Sequence, residues 1–123
     1  MFYFSFFTFV LVALSIVIHG IAINYLAIAK IKSINYLTFA KFSLVLFCSH
    51  LAHIFLFAIF YAYSFRHLGP AELFAGNLQD NFVDFFYFSI TTYTTLGVGD
   101  VYPLGNMRIV AGLQSLVGLV LIA

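Results

Sequence analysis

Charged side chains are scarce in this sequence. Its 123 residues include five basic and four acidic side chains, which together make up 7% of the chain. Because ordinary soluble domains carry about 25% charged residues, this composition excludes a typical soluble domain. The formal net charge of +1 provides no basic face, so we expect no nucleic-acid partner. With 64% hydrophobic residues, the chain is predicted to be a membrane protein.

Cysteine and the residue patterns of enzymes are scarce as well. Cys48 is the only cysteine, so no disulfide forms within one chain, and we expect a small packing residue there. The sequence has no nucleophile–base pairing, no glycine-rich loop that opens a helix under a phosphate and no zinc-ligand spacing. It also lacks a run of basic residues typical of a voltage sensor. We therefore expect neither an enzyme nor a voltage-sensing helix.

The first long apolar segment, residues 2–29, contains no charged side chain. At about 1.5 Å per residue, it exceeds the roughly 30 Å thickness of the bilayer core. A cleaved signal peptide is the alternative, but it would have a basic start and a shorter apolar core. Residues 1–29 are therefore predicted to form a retained N-terminal transmembrane helix.

Three lysines and no acidic residue mark the next segment, residues 30–41; they are Lys30, Lys32 and Lys41. Loops rich in lysine and arginine face the cytoplasm, so this segment is predicted to be a cytoplasmic loop and the N-terminus to lie outside. The apolar residues 42–65 then form a second span that leads outward, and glycine and proline break the helix after it.

A shorter apolar segment, residues 82–93, follows an outer loop. About a dozen residues cannot cross a bilayer, which favours a re-entrant helix surrounded by protein or lining a wet cavity. Asp80 or Asn81 is the expected cap of this helix. Residues 107–123 begin a last span of roughly 25 Å, which is short of crossing. We expect the natural helix to continue, with a cytoplasmic tail or C-terminal regulatory domain beyond it.

Between these two helices lies the run Thr94-Thr95-Leu96-Gly97-Val98-Gly99-Asp100. Glycine adopts backbone conformations that other residues avoid, and alternating it with ordinary residues lets successive carbonyl groups face one side. A row of carbonyl oxygens can replace the water shell of a cation, and a threonine hydroxyl can add one more ring of oxygens. A glycine-rich turn between two helices is the alternative.

The segment that ends this run, residues 95–100, resembles the potassium-channel signature T-V-G-Y-G-D. Residues 87–94 resemble the pore helix that precedes the filter, and residues 101–103 resemble the turn that follows it. The resemblance covers residues 80–118. It implies a bacterial-type channel with two helices and a pore loop, here with an extra N-terminal helix.

The resemblance also implies which atoms bind the ion. The backbone carbonyls of Thr95, Leu96, Gly97 and Val98, with the Thr95 hydroxyl, would bind potassium, and Gly99 would lie at the outer mouth. Four such strands enclose one ion, so the resemblance implies a homotetramer embedded in membrane lipids. It implies no cofactor besides the permeant potassium ions.

Val98 stands where the family has tyrosine. In the family, the hydroxyl of this tyrosine bonds to the pore helix and braces the filter from behind. Valine cannot make that bond, so a non-selective cation channel is the alternative to a potassium channel. Tyr93 is a candidate for part of the missing bracing.

Four further residues match positions of the family pattern. Thr92 and Thr94 precede the filter, where their hydroxyls would bond backbone groups and hold its curvature. Asp100 follows the filter and would hydrogen-bond behind it, the alternative being a solvated acid that attracts cations. Gly118 matches a hinge glycine of the inner helix, and close helix packing is the alternative. At least one of two polar residues in that helix is expected to face a wet cavity or a neighbouring helix: Gln114 or Ser115.

Three histidines lie within the apolar spans. His50 and His53 are three residues apart and share one helix face, and His19 lies at a similar depth on the first helix. Ionisable groups at such depth serve metal binding, haem binding or pH sensing by default. The favoured interpretation is simpler: hydrogen bonds of neutral histidines tie the first helix to the second.

Together these features predict an all-α membrane protein. It has three transmembrane helices, a re-entrant pore helix and a selectivity-filter strand, and it assembles as a homotetramer. The helix at residues 1–29 and the loop at residues 30–41 precede an ion-channel pore domain at residues 42–123. The expected function is passive conduction of potassium across a bacterial inner membrane. An intramembrane bis-histidine haem or metal-binding protein is the alternative from another class.

Overall fold

The fold is that of a computed structural model, which describes residues 2–28 and 35–123. This part of the chain contains helices joined by short connections and one small sheet. In chain order the elements are α1 (Phe2–Ile28), α2 (Tyr36–Leu68), α3 (Pro70–Leu73), β1 (Phe74–Gly76), α4 (Phe82–Tyr93), β2 (Val101–Pro103) and α5 (Met107–Ile122).

Two helices of the described part, α1 and α2, are long and apolar enough to cross a membrane. The predicted third span, α5, is also apolar but has only 16 residues, or about 24 Å. Of the three predicted transmembrane helices, two have the full length needed to cross a membrane. The shortfall of the last one agrees with the roughly 25 Å expected from the sequence.

The predicted loop at residues 30–41 is wrong over its second half, because α2 begins at Tyr36. The side chain of Asn35 caps this helix and accepts a hydrogen bond of 2.9 Å from the Thr38 backbone amide. Lys41 therefore lies within α2, where a long stem can carry its ammonium group toward the membrane surface. Lys30 and Lys32 lie outside the described residues. The predicted cytoplasmic side of the loop depends on these lysines.

A two-stranded antiparallel sheet joins the segment before α4 to the segment before α5, which the all-α prediction missed. β1 pairs with β2 in the register Phe74 with Pro103, Ala75 with Tyr102 and Gly76 with Val101. Gly76 has a φ of +98°, and a Cβ there would collide with the backbone carbonyl oxygen of Asp100. Asn77 donates its backbone amide to the same oxygen over 2.8 Å. The sheet therefore fixes the backbone directly after residue 99.

The short helix α4 spans Phe82–Tyr93, which confirms the bounds predicted from the sequence. Asn81 is its cap, and its side chain accepts from the Asp84 amide over 2.8 Å. The Asp84 carboxylate accepts in turn from the Gln79 amide over 2.7 Å, so donors on both sides of the cap are satisfied. Asp80, the other predicted cap, instead pairs with Arg66 at 2.7 Å on the exposed surface.

Aromatic rings hold α4 between its neighbours. Phe88 lies edge-on to Tyr61 of α2, with ring centroids 5.0 Å apart, and to Phe74 of β1 at 5.4 Å. Phe85 of α4 is fully buried beside Phe65 of α2. Such edge-to-face pairs add about 0.5–1.5 kcal/mol each beyond the burial of apolar area. The core therefore fixes the position and rotation of the short helix.

One face of α1 packs against the remaining helices. Thr8, Leu11, Ser15 and His19 are buried, and they recur at the spacing of a single helix face. The other faces carry large exposed apolar side chains, as expected for a helix in contact with lipid. The buried face brings His19 beside α2.

Candidate functional site

The run that follows α4 is an irregular, exposed stretch whose backbone alternates in handedness. Thr95, Gly97 and Gly99 have positive φ angles of 58°, 54° and 86°, whereas Leu96 and Val98 between them do not. A backbone that alternates in this way turns successive carbonyl groups toward the same side. Among the described residues, the predicted filter segment thus belongs to no helix or strand.

Thr95 carries the most strained backbone of this stretch. It is the only non-glycine residue with positive φ among the described residues. A β-branched side chain rarely adopts this conformation, and its cost is of the order of 1–3 kcal/mol. Two hydrogen bonds hold the segment in place: the Thr95 amide donates to the Thr92 carbonyl over 3.1 Å, and the Gly97 amide to the Thr91 carbonyl over 3.2 Å. Strain held by its surroundings is typical of a functional segment.

The predicted supporting threonines lie at the junction of α4 with this stretch. The Thr94 hydroxyl donates to the Ile90 carbonyl over 2.8 Å, so it bonds back to the last turn of α4 and not to the strand. The Thr92 carbonyl accepts from the Ser115 hydroxyl of α5 over 2.9 Å. Ser115 therefore ties α5 to the start of the irregular stretch.

Asp100 anchors the C-terminal end of this stretch. Its carboxylate accepts from the Tyr87 hydroxyl over 3.1 Å and from the Val101 amide over 3.0 Å. The bond to Tyr87 joins the two ends of the stretch through α4. Sequence reasoning placed Tyr87 on the short helix but gave it no role, since a single tyrosine thirteen residues away carries no local pairing signal.

Gly118 lies where α5 crosses the end of α4. A Cβ at this position would collide with the backbone carbonyl oxygen of Tyr93. The absence of a side chain therefore lets the two backbones meet, which is the close-packing alternative for this glycine. Gly112, six residues earlier, has open space around it.

A buried polar network joins α2, α4 and α5 behind the stretch. Gln114 is fully buried and accepts from the Tyr61 hydroxyl over 2.6 Å. Its amide nitrogen lies 2.7 Å from the Ser89 hydroxyl and 3.2 Å from the Ser89 carbonyl. The Ser89 hydroxyl donates to the Ile54 carbonyl over 2.8 Å. Gln114 thus contacts neighbouring helices of its own chain, one of the two environments predicted for it.

The histidines form a cluster with Tyr93. The His19 ring lies 5.2 Å from that of His50 and 5.9 Å from that of His53, measured between centroids. The Tyr93 hydroxyl lies 2.8 Å from His50 Nδ1 and 3.1 Å from His53 Nδ1. His19 Nδ1 lies 3.2 Å from the Ser49 hydroxyl of α2, so His19 ties the first helix to the second as expected, whereas His50 and His53 bond to α4 instead.

This arrangement changes the role expected of Tyr93. Its hydroxyl bonds to the histidines of α2, so the Tyr93 side chain braces the end of α4 against α2. Within residues 2–28 and 35–123, no group of three or more histidine, cysteine or acidic residues is arranged to hold a metal ion.

An open groove runs beside the irregular stretch. It is lined by Thr95, Gly97 and Val98 on one side and by small residues of α5, including Ala111 and Gly112, on the other. Leu96 and Val98 are 67% and 57% exposed in the single chain. Two apolar side chains of this size are therefore exposed along the stretch.

The part of the chain that contains this geometry matches a known protein family. A family model described as "Ion channel" matches residues 45–123, which include α4, the irregular stretch and α5. No curated protein and no solved structure matches the chain.

Proposed function

The chain belongs to the ion-channel family, and we propose that it conducts potassium passively through a selectivity filter at residues 95–99. As a member of this family it is a membrane protein that serves ion conduction. An ion channel moves ions without converting them chemically, so no residue is assigned a catalytic role.

The observation that carries the proposal is the alternating backbone of the filter. Positive φ angles at Thr95, Gly97 and Gly99 alternate with ordinary ones at Leu96 and Val98. This alternation supports a row of carbonyl oxygens along one side of the strand. Such oxygens replace the hydration shell of potassium, and ions then pass in single file between adjacent sites. The Thr95 hydroxyl would complete the innermost ring.

A second part of the proposal is the homotetramer. One strand supplies oxygens from one side only, whereas a dehydrated ion needs them all round. Fourfold symmetry supplies the other three strands. The exposure of Leu96 and Val98 and the groove along α5 support this assembly, because a neighbouring copy would cover them.

Potassium selectivity is proposed because the filter is anchored at both ends. Ser115 and Thr92 hold its base, and Tyr87 and Asp100 hold its outer end. The competing function is non-selective cation conduction, which is favoured by one observation. Val98 is exposed and has no hydroxyl with which to bond α4, so its position lacks the brace that tyrosine gives.

The location and orientation are also proposals. We place the chain in a bacterial inner membrane with its N-terminus outside, because the lysines of residues 30–41 favour the cytoplasmic side. The filter and the small sheet then face outward. No cofactor besides the permeant ion is proposed.

The filter is tested by replacing Gly97 with alanine. A Cβ at φ +54° disfavours the required backbone, so potassium flux into liposomes should fall at least about tenfold. Gly20→Ala is the matched control, because Gly20 lies on the exposed face of α1 with open space around it. Unchanged potassium flux in Gly97→Ala would refute the filter assignment.

A further inference from the structure

A cavity of about 280 Å³ lies between the first half of α1, around Thr8, and the first half of α5, around Val110. It is separate from the groove beside the proposed filter, and among the described residues the two linings share no member. The family match begins at residue 45, so the wall formed by α1 lies outside the matched region. Conduction as proposed above makes no use of this cavity.

We propose that this cavity binds one neutral single-chain amphiphile, of the class of the medium-chain alcohols, taken up from the membrane. The hydroxyl group of the ligand lies at a polar end of the cavity, beside Thr8 and Asn106. Its alkyl tail runs along the cavity toward Val12 and Leu113. The site is distinct from the filter, and its occupation does not depend on which ion the filter conducts.

The two walls of the cavity run in the same direction. Phe4 packs against the buried cluster that contains Met107 at the start of α5, whereas Val12 also packs against the cluster that contains Val117, further along that helix. The starts of α1 and α5 therefore lie at one end of the cavity. The polar lining residues belong to these starts, with Asn106 directly before the first turn of α5. The cavity thus has a polar end and an apolar end.

The size of the cavity sets the size of the ligand. At roughly 30 Å³ for each methylene-sized group, about 280 Å³ holds eight to ten heavy atoms. The wall from Ser5 to Val12 rises about 10 Å along the axis of α1. An extended chain of eight to ten atoms has the same length, at about 1.2 Å per bond. Volume and length therefore indicate the same ligand, a single chain of medium length.

The polar end provides hydrogen bonds but no charge. Thr8 is buried and donates its hydroxyl to the Phe4 carbonyl, so its oxygen retains lone pairs that can accept a further bond. Asn106 makes no side-chain cap bond to α5, so its amide can both donate and accept. None of the described residues that line the cavity is charged. A neutral hydroxyl fits this end, whereas a charged head group would be buried without a counter-ion.

The same features disfavour the tail of a phospholipid as the occupant. Such a tail reaches about 15 Å, half the thickness of the hydrocarbon core, and is longer than the cavity. Lipid tails are as apolar as the lining, so moving a tail from the bilayer into the cavity provides little free energy. A hydroxyl that is hydrogen-bonded in apolar surroundings provides the preference, because its bonds are stronger there than in water.

The test uses a photoreactive octanol, with a diazirine near the end of its tail, added to the protein in liposomes. After illumination, mass spectrometry locates the labelled residues as the concentration of the probe is raised. Labelling should saturate and should fall on residues 4–12 and 106–113, which form the two walls. Unlabelled 1-octanol should compete about tenfold better than nonane, which has a similar chain but no hydroxyl.

Three variants locate the two ends of the ligand. Leu113→Trp should fill the apolar end and abolish the saturable labelling. Leu116→Trp is the matched control and should retain it, because Leu116 is exposed on the same helix and does not line the cavity. Thr8→Val removes the hydroxyl at nearly constant volume and should raise the half-saturating concentration about three- to tenfold. Thr8→Ser keeps the hydroxyl and should keep the value of the unmodified protein.

Labelling that rises without saturation, or that spreads evenly over the exposed faces of α1 and α2, would overturn the inference. Equal competition by 1-octanol and nonane would overturn it as well, since the cavity would then accept any apolar chain, a phospholipid tail included. Equal labelling of the two tryptophan variants, each verified as folded by circular dichroism, would have the same consequence.

Discussion

Substitution of Gln114 by leucine would remove the side chain that joins α2, α4 and α5. Leucine fills a similar volume, so the main loss is polar. The buried Tyr61 hydroxyl loses its acceptor, whereas the Ser89 hydroxyl keeps the Ile54 carbonyl. An unsatisfied buried group costs about 1–3 kcal/mol, and the lost bonds to Ser89 add about 1 kcal/mol. We therefore expect the free energy of unfolding to fall by about 2–4 kcal/mol.

The assay unfolds the purified protein by titration with SDS and monitors the loss of helix by circular dichroism. Tyr61→Phe removes the orphaned hydroxyl and retains the ring that packs on Phe88. The double variant should therefore be less destabilised than the sum of the single variants, by about 1–2 kcal/mol. Gln79→Leu is the control, since this exposed side chain makes no such network, and it should change stability by less than about 0.5 kcal/mol. A loss below about 0.5 kcal/mol in Gln114→Leu, or strict additivity, would refute the network.

Two further substitutions test the placement of α4 by the same unfolding assay. Gly118→Ala should lower the free energy of unfolding by about 1–3 kcal/mol, because the new methyl group pushes α5 off the Tyr93 carbonyl. Gly112→Ala should be nearly neutral, since Gly112 has open space around it. Equal effects of the two substitutions would contradict the close contact at Gly118. Asn81→Ala should lower the free energy of unfolding by about 1 kcal/mol, because the cap of α4 is lost. Asn106→Ala should not, since Asn106 makes no side-chain cap bond at the start of α5. A larger loss of stability in Asn106→Ala would contradict the capping assignment.

Local chemistry made α4 predictable from the sequence. Asn81 signals its start, and the glycines that begin at Gly97 signal the break beyond its end, so the bounds of the helix were found correctly. The start of α2 was missed because three lysines suggested a loop, although Asn35 carries a capping side chain at the true start. A charge pattern indicates the side of a membrane and not the end of a helix.

Contacts between distant residues were not predictable in the same way. The strands β1 and β2 have three residues each, too few for an alternating pattern to show. The bond from Tyr87 to Asp100 and the bridge from Tyr93 to two histidines of α2 depend on how α4 is rotated in the core. That rotation is set by aromatic packing, which has no local signature in one sequence.

The central claim is a potassium-selective filter in which Val98 is tolerated. The most direct test measures flux into liposomes first with potassium and then with sodium, at matched gradients and pH 8, on protein that has been verified as a tetramer. We expect flux with potassium and at least about tenfold less with sodium, because anchored carbonyl rings fit the larger dehydrated ion. Equal flux of both ions would contradict it and assign the chain to non-selective cation conduction.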